Sequence, residues 1–134
     1  MTPDQKALVK LTWQKVLPIA ESASELFYHR LFEIDPALRD LFDGTDMTMQ
    51  RLKLMQTLGV AIRGLDDLET LLPIVEDLGR RHVGYGVTDA HYETVGAALL
   101  WTLEKGLGEA WTPEVADAWT AAYGTLSGAM REAA

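Results

Sequence analysis

Apolar residues recur at every third or fourth position along most of this chain, a spacing that predicts helices. Thr2-Pro3-Asp4-Gln5 opens the first, with a capping residue, a proline at the first helical position and an acid behind it. Its apolar positions are Leu8, Leu11, Trp13 and Val16, and it runs to about Pro18. A second helix is expected from about Glu21 to Ile34, with Leu26, Phe27, Leu31 and Phe32 facing a core. Asp35-Pro36 ends it, because the residue before a proline avoids the helical region. A short apolar turn, Ala37 to Phe42, and a loop, Asp43-Gly44-Thr45-Asp46, follow. Met49 to Leu65 reads as a long amphipathic helix with Gln50, Leu54, Leu58 and Ala61 near one face. After a turn at Gly64-Leu65-Asp66-Asp67, Glu69 to His82 is helical again, and Pro73 is tolerable only near its beginning. Gly84 and Gly86 close that helix, and Asp89 is expected to cap the next, which reaches about Leu107-Gly108. Thr112-Pro113-Glu114 starts the last, which runs nearly to the C-terminus. Runs rich in Val, Ile and Thr with period-two alternation are absent, so no strand is expected. Six or seven helices at irregular separations suit an orthogonally packed all-α fold better than a four-helix bundle.

Composition narrows the chemistry. The 134 residues fit one domain, and 48% hydrophobic content is enough for a core without staples. With no cysteine, a disulfide scaffold, Cys-ligated zinc, iron–sulfur clusters and thiol catalysis are all excluded. A net charge of -8 would be repelled by a phosphate backbone, so nucleic acid is not an expected partner. Met1 to Lys10 carries Asp4, Lys6 and Lys10 and no apolar run, unlike a signal peptide. No stretch approaches the roughly 18 apolar residues of a membrane span. A cytoplasmic protein with no membrane partner, a monomer or weak dimer, is expected.

One short segment stands out against the acidic background: Arg80-Arg81-His82, followed by Val83-Gly84-Tyr85-Gly86. His82 lies near a helix end and shares a face with Leu78, four residues earlier. It can be a terminal histidine favoured by the helix dipole. It can also be an axial ligand to haem iron, which needs only one protein nitrogen. Haem would account for the cations too, since Arg80, Arg81 and Lys53 could meet its propionates. Pairing with Glu76 or Asp77 on the same helix is the plain alternative. An oxygen-binding haem pocket also needs polar donors in apolar surroundings, because bound oxygen gains negative charge. Tyr28 sits among Phe27, Leu31 and Phe32, and Gln50 shares a helix face with Leu54. Each could be such a donor, or a core-edge tyrosine and a solvated glutamine. Phe42 could pack in the core or lie flat against a porphyrin.

Taken in order, these positions resemble a globin: Trp13, Phe27-Tyr28, Pro36, Leu41-Phe42, Gln50 with Lys53-Leu54, and His82 before Tyr85-Gly86. Asp89-Ala90-His91-Tyr92-Glu93-Thr94-Val95-Gly96 looks like the start of the G helix of bacterial haemoglobins, and Ala118-Trp119 with Tyr123-Gly124 like their H helix. The chain resembles a single-domain bacterial haemoglobin of the Hell's Gate globin type, similar to the globin half of flavohaemoglobins. The resemblance spans nearly all of residues 1–134, as a single globin domain. It implies haem b with His82 as the proximal iron ligand and Tyr28 and Gln50 as the distal pair. It places Phe42 on the haem plane and Leu54 in the distal pocket, with Lys53, Arg81 and Tyr85 near the propionates. Leu78, Val87, Tyr92 and Val95 complete the implied cofactor contacts, Tyr92 packing on the proximal side.

Two departures bear on activity. Flavohaemoglobins continue into flavin and nicotinamide domains, and no Gly-rich nucleotide loop occurs before Ala134, so electrons are expected from a separate reductase. The family's proximal glutamate would fall at about Ala134, with Glu132 part of a turn away, so a strong push on the proximal histidine is not expected. His29 and His91 are expected to be ordinary, and Gln50 stands where six-coordinate globins place a distal histidine. The implied function is oxygen binding at penta-coordinate haem b, with NO and CO as further ligands and high affinity suited to storage or scavenging. The alternative is nitric-oxide dioxygenation served by that reductase; a haem-free helical interaction module is the bland reading.

Overall fold

The computed structural model describes residues 1–133 and folds them into six α-helices joined by short turns, with no strand among the described residues. Helix α1 spans Pro3–Val16 and begins as its sequence predicts: Thr2 Oγ1 accepts from the Gln5 amide at 3.1 Å, and the Gln5 side chain accepts from the Thr2 amide at 3.0 Å. Its buried face corrects the expected one. Val9, Thr12, Trp13 and Val16 are buried, whereas Leu11 is 59% exposed. Positions 9, 12, 13 and 16 follow the i, i+3, i+4, i+7 spacing of one helix face, and Leu11 points away from it.

Helix α2 spans Ala20–Ile34 and buries Ala23, Ser24, Phe27, Tyr28 and Leu31. Asp35 is extended before Pro36, and Pro36–Phe42 forms a 3₁₀ turn. Helix α3, Met47–Arg63, starts two residues earlier than the apolar pattern suggests, because the Asp46 carboxylate accepts from the amides of Thr48 and Met49 at 3.0 and 3.4 Å. Helix α4, Leu68–Gly84, is capped by Asp67, carries Pro73 in its second turn and runs two residues past His82. Gly86 then takes a left-handed φ of +85° that lets the chain reverse. Helix α5, Asp89–Leu107, is capped by Thr88 rather than by Asp89. Thr88 is extended while Asp89 is already helical, and the Thr88 amide donates to His91 Nδ1 at 3.0 Å. Helix α6, Pro113–Ala133, closes the fold.

The strongest packing joins helices distant in sequence: α1 and α4 on α6, and α2 on α5. This is orthogonal, globin-like layering rather than an up-and-down bundle. Trp13 and Trp119 meet at 6.3 Å between ring centres, and Trp119 Nε1 donates to Thr12 Oγ1 at 2.8 Å inside the core. The consecutive helices α3 and α4 do not pack extensively on each other; α3 leans on α2, and α4 on α6. Among the described residues, no helix is long and apolar enough to cross a membrane.

Candidate functional site

Tyr28 is the centre of one half of the site. It is 6% exposed on the core face of α2, and its ring meets Phe27 edge-on at 5.0 Å and Phe42 at 5.6 Å. Across from it, Gln50 on the first turns of α3 donates Nε2–H to Tyr28 Oη at 3.1 Å. The tyrosine oxygen therefore accepts, and among the described residues its own proton has no protein acceptor. Burial pushes the Tyr28 phenol up from its ordinary value, an effect the Gln50 hydrogen bond and the Arg51 charge partly offset. It stays a neutral donor. Phe42, Leu54 and Val95 are half-buried and pack on the same core cluster as Tyr28. Phe32, which sequence reading assigned only to the core, adds a third ring 5.6 Å from Phe42, with the Arg39 guanidinium 5.0 Å from its centre.

His82 forms the other half. It is half-buried near the end of α4, and its Nδ1 lies 2.6 Å from the Leu78 carbonyl oxygen. A carbonyl only accepts, so Nδ1 carries the proton and Nε2 keeps its lone pair, the tautomer a metal needs. The Tyr85 ring stands edge-on to the imidazole at 5.8 Å and is itself 64% exposed. Leu78 and Val87 are half-buried beside them. The two halves approach where the 3₁₀ turn meets the end of α4: a Cβ on Gly86 would touch Leu41 Cδ2 at 3.6 Å.

The cations sit as either reading allows. Arg81 pairs with Asp77 one turn earlier at 2.9 Å, both well exposed, and Arg80 and Lys53 are exposed. A surface pair of this kind contributes little and can be exchanged for another anion. Tyr92 is buried, but its recorded partners are on α6, not on α4. The Arg131 guanidinium lies 4.9 Å from its ring centre, and Tyr123 Oη donates to its carbonyl. No hydrogen bond joins Tyr92 to His82 among the described residues. Glu132 is exposed near the end of α6, and Ala134 lies outside the described residues. The remaining histidines have other duties: His29 is exposed beside Glu33, and His91 caps α5.

These residues fit haem better than a bare metal ion. No group of three or more His, Asp or Glu could hold a metal among the described residues, so an iron ion must bring most of its own ligands. His82 supplies one oriented nitrogen, half-buried apolar side chains stand on α3, α4 and α5, and cations lie at the edge. Comparison with known proteins decides the matter, for the family described as Globin matches residues 25–130. The chain belongs to the globin family. Haem, with its iron, is accordingly its cofactor. This globin is 39% identical over 132 residues to the Flavohemoprotein of Bordetella parapertussis, covering 95% of this chain and 32% of that protein. It thus spans about a third of the length of those relatives. It is 34% identical over 133 residues to the anaerobic nitrite reductase NSHB5 of Oryza sativa subsp. indica, covering 96% of this chain and 92% of that one. Its fold superposes with a TM-score of 0.86, at 20% identity, on a hexacoordinated heme protein of an anhydrobiotic tardigrade, covering 99% and 94% of the two chains.

Proposed function

We propose that this globin binds oxygen at a penta-coordinate haem b held by His82, and retains it through Tyr28 and Gln50. Haem iron supplies the position at which a diatomic gas is bound. The protein supplies the rest. The Leu78 carbonyl keeps the His82 ring in the tautomer that leaves Nε2 for the iron. The other two histidines of the chain, His29 beside Glu33 and His91 on the Thr88 amide, are engaged elsewhere, which favours an open sixth position.

The observation that carries the reading is the Gln50–Tyr28 hydrogen bond at 3.1 Å. Because Gln50 donates, it fixes the phenol and leaves the phenolic proton to donate onward. A donor held in a buried apolar setting stabilises a ligand that gains negative charge more than the same donor in water would. Phe42 and Leu54 contribute the apolar walls, and Arg81, Lys53 and Tyr85 the edge facing solvent, where propionates would lie. Leu78 and Val87, half-buried near His82, would line the proximal side, with Tyr92 and Val95 as further haem contacts. Slow gas release suits storage or scavenging.

Oxygen dissociation measured by stopped flow tests this. Tyr28→Phe combined with Gln50→Leu is expected to speed it by orders of magnitude, since each lost donor to a polarised ligand costs about 1.5–3 kcal/mol and about 1.4 kcal/mol is tenfold. An unchanged rate in the double variant would show that the pair does not contact the ligand. The second reading is nitric-oxide dioxygenation with an external reductase, favoured by 39% identity to a Flavohemoprotein. What separates the two is sustained NO consumption once an electron donor is supplied.

A further inference from the structure

Helix α4 meets α6 in close backbone contact at Gly79. A side chain there could not be accommodated: a Cβ on Gly79 would fall on the Met130 carbonyl oxygen and 2.8 Å from the Met130 Cα and carbonyl carbon. These are backbone atoms inside a helix, so neither side can yield by changing a rotamer. Gly79 is buried, and α4 packs more extensively on α6 than on any other element. One residue past the contact, the same end of α6 is fastened to α5. Arg131 lies over the Tyr92 ring at 4.9 Å and reaches the carbonyl of Asp89.

The place of this contact along α4 matters. The peptide that joins Leu78 to Gly79 carries the carbonyl on which His82 Nδ1 rests at 2.6 Å. One end of that peptide unit abuts Met130, and the other holds the imidazole. We propose that the Gly79–Met130 seam is a positioning contact for His82: it fixes the height of α4 against α6 and holds the Leu78 carbonyl where it orients the ring. Gly79 thereby acts on the iron site through His82 without touching it. This rests on the assignment of His82 as the iron ligand.

Adding one methyl at Gly79 forces α4 away from α6 or bends it at the 78–79 peptide, and either moves His82. A longer hydrogen bond at Nδ1 makes Nε2 a weaker donor to iron. In Gly79→Ala, the iron–histidine stretching band of the ferrous protein is therefore expected to shift to lower frequency, and the midpoint potential to rise. Gly64→Ala is the matched control. Its Cβ would meet Leu71 Cδ1 at 2.9 Å, at the far end of α4. It is expected to lower the melting temperature and leave the band and potential in place. A Gly79→Ala protein that melts lower but keeps both would overturn the inference, since Gly79 would then matter only for packing.

If Gly79→Ala does not fold, proton exchange in the unmodified protein decides. The His82 Nδ1 proton and the Gly79 amide are expected to be protected to within about tenfold of each other, because both wait for the same seam to open. An Nδ1 proton whose protection, relative to its own intrinsic rate, is orders of magnitude lower would show that the ring is held independently of the seam. Retention of the unmodified band by His82→Ala would instead overturn the ligand assignment beneath the inference.

Discussion

Tyr28 and Tyr123 show how one residue type takes two roles by its surroundings. Tyr28 accepts from Gln50 and, among the described residues, keeps a proton with no protein acceptor, which the proposed function gives to the ligand. Tyr123 gives its proton to the Tyr92 carbonyl, so it is a tie between α5 and α6. Burial first, with the neighbouring Tyr92 adding and Arg131 opposing, pushes the Tyr123 phenol from 10.0 up to about 12. Its sign for stability follows from linkage. Between those values the unfolded chain has lost the proton and the folded one has kept it, so stability is intact below pH 10 and falls as pH rises toward 12. Tyr123→Phe is expected to flatten that alkaline fall in denaturant titrations taken at pH 9 to about 11, at some cost at neutral pH. An equally steep fall in the variant would place the titrating group elsewhere. Sequence reading named Tyr28 because it lies among apolar residues. The direction of its hydrogen bond was not legible, because the partner is 22 residues away.

At the scale of elements, α1 and α6 are tied by a buried polar link that no local pattern announces. Thr12 donates to the Leu8 carbonyl at 2.7 Å and accepts from Trp119 Nε1 at 2.8 Å. Thr12→Val keeps the shape and leaves the indole N–H unpaired in the core. Thermal or denaturant unfolding is expected to show a loss of about 1–3 kcal/mol, with Thr12→Ser nearer the unmodified protein. Equal stability of the Val variant would mean the indole finds another acceptor. Helix number, order and most bounds were legible because proline, glycine and capping residues punctuate the chain at Pro3, Asp35-Pro36, Gly86 and Pro113. The misreadings share a cause. Leu11 reads as one of the apolar positions of α1 by its hydrophobicity, and Asp89 as a cap by its type, whereas helix phase and backbone conformation decide both. Thr12 was missed for the converse reason, being a polar residue at a core position.

For the whole molecule, the order of Phe27-Tyr28, Phe42, Gln50 and His82 along the chain was enough to suggest the fold, and the match to Globin over residues 25–130 shows it. The sequence could not tell that α3 and α4 lean on other helices rather than on each other, because that depends on Gly79 meeting Met130 and on α2 meeting α3. Such contacts join residues far apart in the chain and leave no periodic trace. The proposed site draws on both helices at once: Gln50 and Leu54 from α3, His82 and Leu78 from α4. Its central claim is that His82 holds the haem. The most direct test is the visible absorption spectrum of the purified protein in its ferric, ferrous and carbon-monoxide states, beside that of His82→Ala. The account predicts globin-type spectra that the substitution abolishes and that added imidazole partly restores. Normal spectra and normal haem retention in His82→Ala without imidazole would contradict it.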